Sequence, residues 1–264
     1  MDTPATLTAL TNELMPHLWP VALAGARLLP ACLMCPIFGG PKVPAQVRLS
    51  VALMLALFVH VAGGVSLPAG FTPSISLLIP AFATQLVCGL CMGYVASLPF
   101  DAARIGGRLL DTFRGANAEA SLPEIGQKDS AMASMLHSLL CCMLFACGGY
   151  RFVMGALIKS FGALPLAGGA MNLGNAVELC AAGALAAMAT GLAIGAPAAA
   201  VSLVVDVGFG LAARAAPQLR LQDTGAPIKL GLGTIAILLS LAAVSDRLLG
   251  AAAESVQAMS ALVG

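Results

Sequence analysis

Residues 206–229 read DVGFGLAARAAPQLRLQDTGAPIK, and the reading of this stretch decides the fold. Upstream, PAAAVSLVV (197–205) has the composition of a membrane-helix interior; downstream, LGLGTIAILLSLAAV (230–244) does again. Between them stand Asp206, Arg214, Arg220, Asp223 and Lys229, with Pro217 and Pro227 among the charges. Lipid does not accept such a density of charge. Irregular or charged chain at this depth belongs against protein or a watery cavity. The stretch therefore predicts a turn between two apolar helices.

The rest of the chain supplies the context. Of 264 residues, 59% are hydrophobic and 9% charged, with a mean hydropathy of +0.94. Soluble domains carry about 25% charged residues, so this composition is that of an integral membrane protein. Lys and Arg number 13 against 12 Asp and Glu, which leaves no basic field for nucleic acid. The first 16 residues hold Asp2 and Glu13 but no Lys or Arg, so no cleavable signal peptide is expected. Six apolar stretches stand out, at approximately 18–38, 49–67, 75–100, 131–158, 177–205 and 230–246. Several are poor lipid spans: the first holds Arg27, Pro30 and Pro36, the third Pro80, Gln85 and Pro99, and Pro197 interrupts the fifth. With the N-terminus outside, nine of the 13 Lys and Arg fall in the inner segments 39–48, 101–130 and 206–229. That bias fits the positive-inside rule.

No catalytic pattern emerges. Walker A, HExxH and GxSxG arrangements are absent, and His17, His60 and His137 are scattered among apolar residues. Of the eight cysteines, Cys32 and Cys35 and then Cys88 and Cys91 have CxxC spacing, but each lies in an apolar run with no His at ligand spacing. They read as small buried hydrophobes. No enzyme activity, cofactor or metal is expected.

Two further features carry organisation. Small residues recur at four-residue spacing, at Gly89 and Gly93 and again at Gly183, Ala187, Gly191 and Gly195. Each set forms a smooth helical ridge that admits another backbone, within the chain or from another subunit. Segment 101–130 holds nine of the 25 charged residues. Asp101 to Arg114 has helical charge spacing, and Gly115 and Asn117 then favour a turn.

In this context the opening stretch resembles the C-terminal signature of the type III secretion export-gate subunit T, the family of the flagellar FliR proteins. The matching positions are Pro197, Asp206, Gly208, Gly210, Arg214, Ala216, Pro217, Gln218, Pro227 and Lys229. A second match, ARLLPACLMCPIFGGPKVPAQVRLSVALML (26–55), supplies Arg27, Pro36, Phe38, Gly39, Val43, Pro44 and Arg48. A third is GRLLDTFRG, Gly107 to Gly115. One departure is that CGLCMGYVAS (88–97) lacks the Glu expected ahead of a Gly-rich third helix, with Gln85 the nearest polar substitute.

The resemblance implies an all-α membrane protein of kinked helical hairpins, an R-like N-terminal half followed by an S-like C-terminal hairpin. Its parts would be N-terminal hairpins at 1–100, a polar loop at 101–130, middle helices at 131–196 and a bent hairpin at 197–264. It implies a helical hetero-oligomer with subunits R and S in the bacterial inner membrane, partly raised toward the periplasm and lining a secretion pore. Further implied partners are the self-cleaving switch subunit, the large export-gate subunit, the inner rod or needle proteins, and secreted proteins in transit. The loop from about Asp111 to Asp129 corresponds to a pore plug, with Asp111, Arg114, Gly115, Asn117, Glu119, Pro123, Glu124, Lys128 and Asp129 as its polar and turn residues. Arg27, Arg48, Gly191, Gly195, Asp206 and Gly210 are expected in subunit packing or as buried charge. Arg214, Pro217, Gln218, Arg220, Pro227 and Lys229 would form a cytoplasmic hairpin tip, with both helices stopping at the prolines. Asp206 and Arg214, about 12 Å apart by helical rise, are not expected to pair with each other. The tip sequence and the missing acid lean toward a virulence-type system.

Two other classes compete. A secondary transporter also has broken helices and intramembrane charge, but it predicts an inverted repeat and a central polar pocket. A membrane thiol oxidoreductase would depend on the two CxxC pairs.

Overall fold

The computed structural model describes residues 3–38, 43–67, 74–114, 130–167, 169, 171–215 and 221–262. Among them lie seven α-helices and no strand. They are α1 (Thr3–Met34), α2 (Ala45–Val61), α3 (Ile75–Phe113), α4 (Ala131–Ala146), α5 (Tyr150–Ala163), α6 (Leu173–Ala215) and α7 (Leu221–Ala261). The all-α expectation holds. Four helices are long and apolar enough to cross a membrane: α1 over Met15–Met34, α3, α6, and α7 over Pro227–Ala261. The bent pair α4 and α5 makes a fifth candidate, and α2 is shorter.

Two expected boundaries move. The apolar stretch at 131–158 is not one helix. Ser130 caps α4 by accepting from the Ala133 N–H at 3.3 Å, and the helix ends at Cys147, whose N–H donates to the Met143 carbonyl. Gly148 then takes φ +69, in the left-handed region open to glycine, and a new helix, α5, begins at Tyr150. Nor does the chain break at residue 100. The helix expected for Asp101 to Arg114 is the continuation of α3, which runs unbroken to Phe113. At 39, 43 and 41 residues, α3, α6 and α7 each extend roughly 60 Å, about twice a bilayer's hydrocarbon core.

The chain divides into two compact units. One comprises Met1–Ser97, Gly149–Ala181 and Val256–Gly264. Within it α3 lies directly on α1. A Cβ at Gly93 would stand 2.7 Å from the Ala31 Cα, and one at Gly89 would overlap the Arg27 carbonyl. The ridge of small residues thus serves backbone contact inside the chain. Leu23, Leu28, Cys32, Cys88, Met92, Leu157 and Phe161 fill this unit's core.

The other unit comprises Leu98–Gly148 and Ala182–Ser255. Here the second ridge meets the later part of α3. A Cβ at Gly191 would come within 2.7 Å of Ile105, and one at Gly195 within 2.8 Å of Leu109. Gly107 of α3 sits against Ala133 of α4. Phe100, Leu110, Leu136, Leu140, Ile194 and Leu248 are buried around these contacts.

Candidate functional site

Three polar arrangements stand out among the described residues at the positions the sequence singled out. The first is centred on Arg27, fully buried in α1. Its Nε donates to Gln85 Oε1 at 2.7 Å, its terminal nitrogens donate to Ser160 Oγ at 3.1 Å and to the Leu164 carbonyl at 2.7 Å. The guanidinium carbon also lies 4.3 Å from the Phe161 ring centroid. Gln85 uses its amide to donate to the carbonyls of Pro165 and Leu166, at 3.2 and 3.1 Å. Arg27 and Gln85 together hold α1, α3, the end of α5 and the chain after it. All the acceptors are uncharged, so hydrogen bonds rather than a carboxylate satisfy the guanidinium. Arg27 was expected as a buried charge and is one, with its polar partners inside its own chain. The departure at Gln85 has a structural meaning: the amide accepts from Arg27 on one side and donates to backbone on the other, which a carboxylate cannot do.

The second arrangement closes the base of the central loop. Asp111, buried in the last turns of α3, accepts from the Met132 N–H at the start of α4 at 2.9 Å. Its other oxygen lies 2.6 Å from the Arg114 guanidinium. One carboxylate therefore joins the residues just before and just after segment 115–129. Arg114 also leans on α7, where a Cβ at Gly233 would stand 2.7 Å from its Cβ. Asp111 and Arg114 were expected in the plug; they lie at the end of α3 and just after it, bonded to the start of α4 and to each other. The other residues expected in the plug, Gly115, Asn117, Glu119, Pro123, Glu124, Lys128 and Asp129, lie outside the described residues.

The third is the α6–α7 hairpin. Lys229 Nζ donates to both oxygens of Asp206, at 3.0 and 2.8 Å. Asp206 pairs with Lys229 and not with Arg214. It is also not buried in its own chain, its side chain being 56% exposed. Arg214 is exposed in the last turn of α6. The expectation that helices stop at both prolines needs correction. α6 ends at Ala215, ahead of Pro217, but α7 begins at Leu221 and runs through Pro227. Pro227 removes only one backbone donor, in the second turn of α7. Pro217, Gln218 and Arg220 lie outside the described residues.

Other expected packing residues separate. Gly191 and Gly195 are occupied by α3 of the same chain, whereas a Cβ at Gly210 would meet nothing within 4 Å. Arg48 donates to the Leu33 carbonyl at 3.3 Å. Sequence reasoning missed the Asp111–Met132 bond and the Asp206–Lys229 pair. The second had a signal, since these residues are equidistant in sequence from the Pro217–Gln218 bond.

Comparison with known proteins places this architecture. The family model for "Bacterial export proteins, family 1" matches residues 18–254. The flagellar biosynthetic protein FliR of Escherichia coli K12 is 26% identical over 219 residues, 82% of this chain and 80% of its own length. The surface presentation of antigens protein SpaR of Shigella flexneri is 24% identical over 217 residues, 81% of this chain and 82% of its own. The secretion system apparatus protein SsaT of Salmonella typhimurium is 32% identical over 82 residues, 31% of this chain and 32% of its own.

Proposed function

Because the chain belongs to the bacterial export proteins of family 1, the FliR family of the type III export apparatus, we propose that it is a non-enzymatic subunit of an inner-membrane export gate that lines and plugs the pore for unfolded proteins. Its partners in this reading are R-like and S-like subunits in a helical hetero-oligomer. The self-cleaving switch subunit, the large gate subunit and the inner rod or needle proteins adjoin it, and the system is of the virulence type. The assembly is partly raised toward the periplasm.

The observation that carries the reading is the length of the apolar surface on α6. Exposed side chains recur along it from Leu173 and Val177 through Leu185 and Leu192 to Val207 and Leu211. That strip is roughly 57 Å long by rise, whereas a bilayer core covers about 30 Å. Water does not accept the excess, so other apolar protein must cover it. The same argument supports an assembly standing partly outside the bilayer. The Asp111 clasp supports the plug, because a loop tied at its base can block a pore while the rest of it moves. A small-solute transporter is less well supported: it needs a central polar pocket, and the buried guanidinium of Arg27 is already fully engaged.

The test is expression with and without the R-like and S-like subunits. Alone, the chain should be degraded or heterogeneous; with them it should purify as one complex. A monodisperse, heat-stable monomer that transports a solute would overturn the proposal.

A further inference from the structure

His17 and His60 lie far apart in sequence, on α1 and near the end of α2. Their rings nevertheless converge: His17 Nδ1 stands 3.0 Å from His60 Nε2. The rings meet edge to face at 64°, with centroids 5.3 Å apart. His17 is exposed and His60 half-buried in the chain, and His17 stands two residues inside the N-terminal end of the candidate span Met15–Met34, at the edge where a bilayer meets water. The far side of His60 is fixed, because its Nδ1 lies 2.8 Å from the Val65 carbonyl. A carbonyl can only accept, so His60 Nδ1 carries a proton, and in the neutral ring Nε2 presents a lone pair toward His17. Metal-binding histidines are held in this way: the second ring nitrogen donates to a backbone carbonyl, which sets the tautomer and aims the ligating nitrogen.

From this geometry we infer that His17 Nδ1 and His60 Nε2 form a two-imidazole site for a divalent transition-metal ion, which ties α1 to the end of α2. Two imidazole nitrogens about 2.0–2.1 Å from one ion stand roughly 2.9 Å apart at a right angle and roughly 3.3 Å apart at the tetrahedral angle. The observed 3.0 Å is nearer the right angle. Tetragonal and octahedral ions such as Ni2+ and Cu2+ prefer that angle, and imidazole suits both. Without the ion, His17 donates its Nδ1 proton to His60. On binding, neutral His17 shifts that proton to Nε2 through solvent, so both rings stay neutral and no proton is lost overall. No group of three His, Cys, Asp or Glu with metal-binding geometry occurs among the described residues. Among the described residues the site therefore has two protein ligands, and its affinity is moderate. The CxxC pairs are not candidates for the same role: Cys32, Cys35 and Cys88 are buried away from solvent.

Ni2+ is the probe, because exposed Cys142 and Cys147 would reduce Cu2+. The full-length chain, purified in the co-expressed gate through a tag without histidine, should bind one Ni2+ per chain at these residues by titration calorimetry. His17→Asn and His60→Asn should each weaken binding on the order of tenfold or more. His137→Gln, in the other unit, should leave it unchanged. A second measurement needs no variant: Ni2+ should protect His17 and His60, but not His137, from carbethoxylation by diethylpyrocarbonate. Absence of Ni2+ binding at millimolar concentration, binding unchanged in the His17→Asn/His60→Asn double variant, or no protection of the two rings would each overturn the site. The pair would then be a hydrogen bond alone.

Discussion

Asp206 Oδ2 and Lys229 Nζ, 23 residues apart in sequence, stand 2.8 Å apart across the α6–α7 hairpin. Such a pair sets the register of two helices more than it stabilises them. With side chains 56% and 23% exposed, its contribution in the free chain is about 0–1 kcal/mol.

Reversing one member should therefore do more harm than removing it. Asp206→Asn is expected to leave the yield of assembled gate near wild type. Asp206→Lys, which puts two cations together, should lower both yield and secretion. The exchange Asp206→Lys/Lys229→Asp should recover most of the loss. Failure of the double exchange to recover any secretion would assign the two residues to separate partners.

The Arg27 centre makes a sharper energetic prediction. Arg27→Ala leaves Gln85 Oε1, Ser160 and the Leu164 carbonyl without their donor in a buried site, at a cost on the order of 3–5 kcal/mol. The chain should fail to accumulate even with its partners present. Gln85→Leu should cost on the order of 3 kcal/mol, because it abandons both Arg27 and the carbonyls of Pro165 and Leu166. Gln85→Glu should cost less, gaining an ion pair while losing two donated bonds. Steady-state levels and thermal denaturation of the purified complex check the order.

Much of this was legible in the sequence for physical reasons. Charge and proline between apolar runs mark a turn, which placed the hairpin at 206–229. Helical charge spacing marked Asp101 to Arg114 as helical, but not as the continuation of α3. What stayed hidden depends on distant partners. Nothing local to Gln85 says that it will accept from a residue on α1 and donate beyond α5. The break between α4 and α5 was within reach, since the Gly148–Gly149 pair is a helix stop inside an apolar run. Pro227 misled because a proline near a helix start sacrifices only one bond, which the rest of α7 outweighs.

The glycines separate internal packing from assembly. Gly89→Ala places a methyl on the backbone of α1, which cannot rotate away, and should abolish accumulation of the chain. Gly210→Ala meets open space and gains up to about 1 kcal/mol of helix propensity. The chain should fold as before. If a partner subunit packs on that face of α6, complex yield should nonetheless fall, as quantitative co-purification would detect.

Asp111 tests the base of the loop. Asp111→Ala removes the acceptor for the buried Met132 N–H and the counter-charge of Arg114, costing about 1–3 kcal/mol. Cells making the gate with this variant should leak small solutes while the complex still assembles. Asp111→Asn keeps an acceptor for Met132 and should leak less than Asp111→Ala.

The central claim is that segment 115–129 blocks a pore rather than merely joining α3 to α4. Loop-closure entropy changes by only about 0.6 kcal/mol per doubling of length, so shortening a plain linker should cost little. The direct measurement is ion conductance and small-solute entry in cells making the whole gate, with residues Ala116 to Gln127 deleted and assembly checked in parallel. The plug reading predicts an assembled complex that leaks at rest. A deletion variant that assembles, secretes and stays as tight as wild type would contradict it.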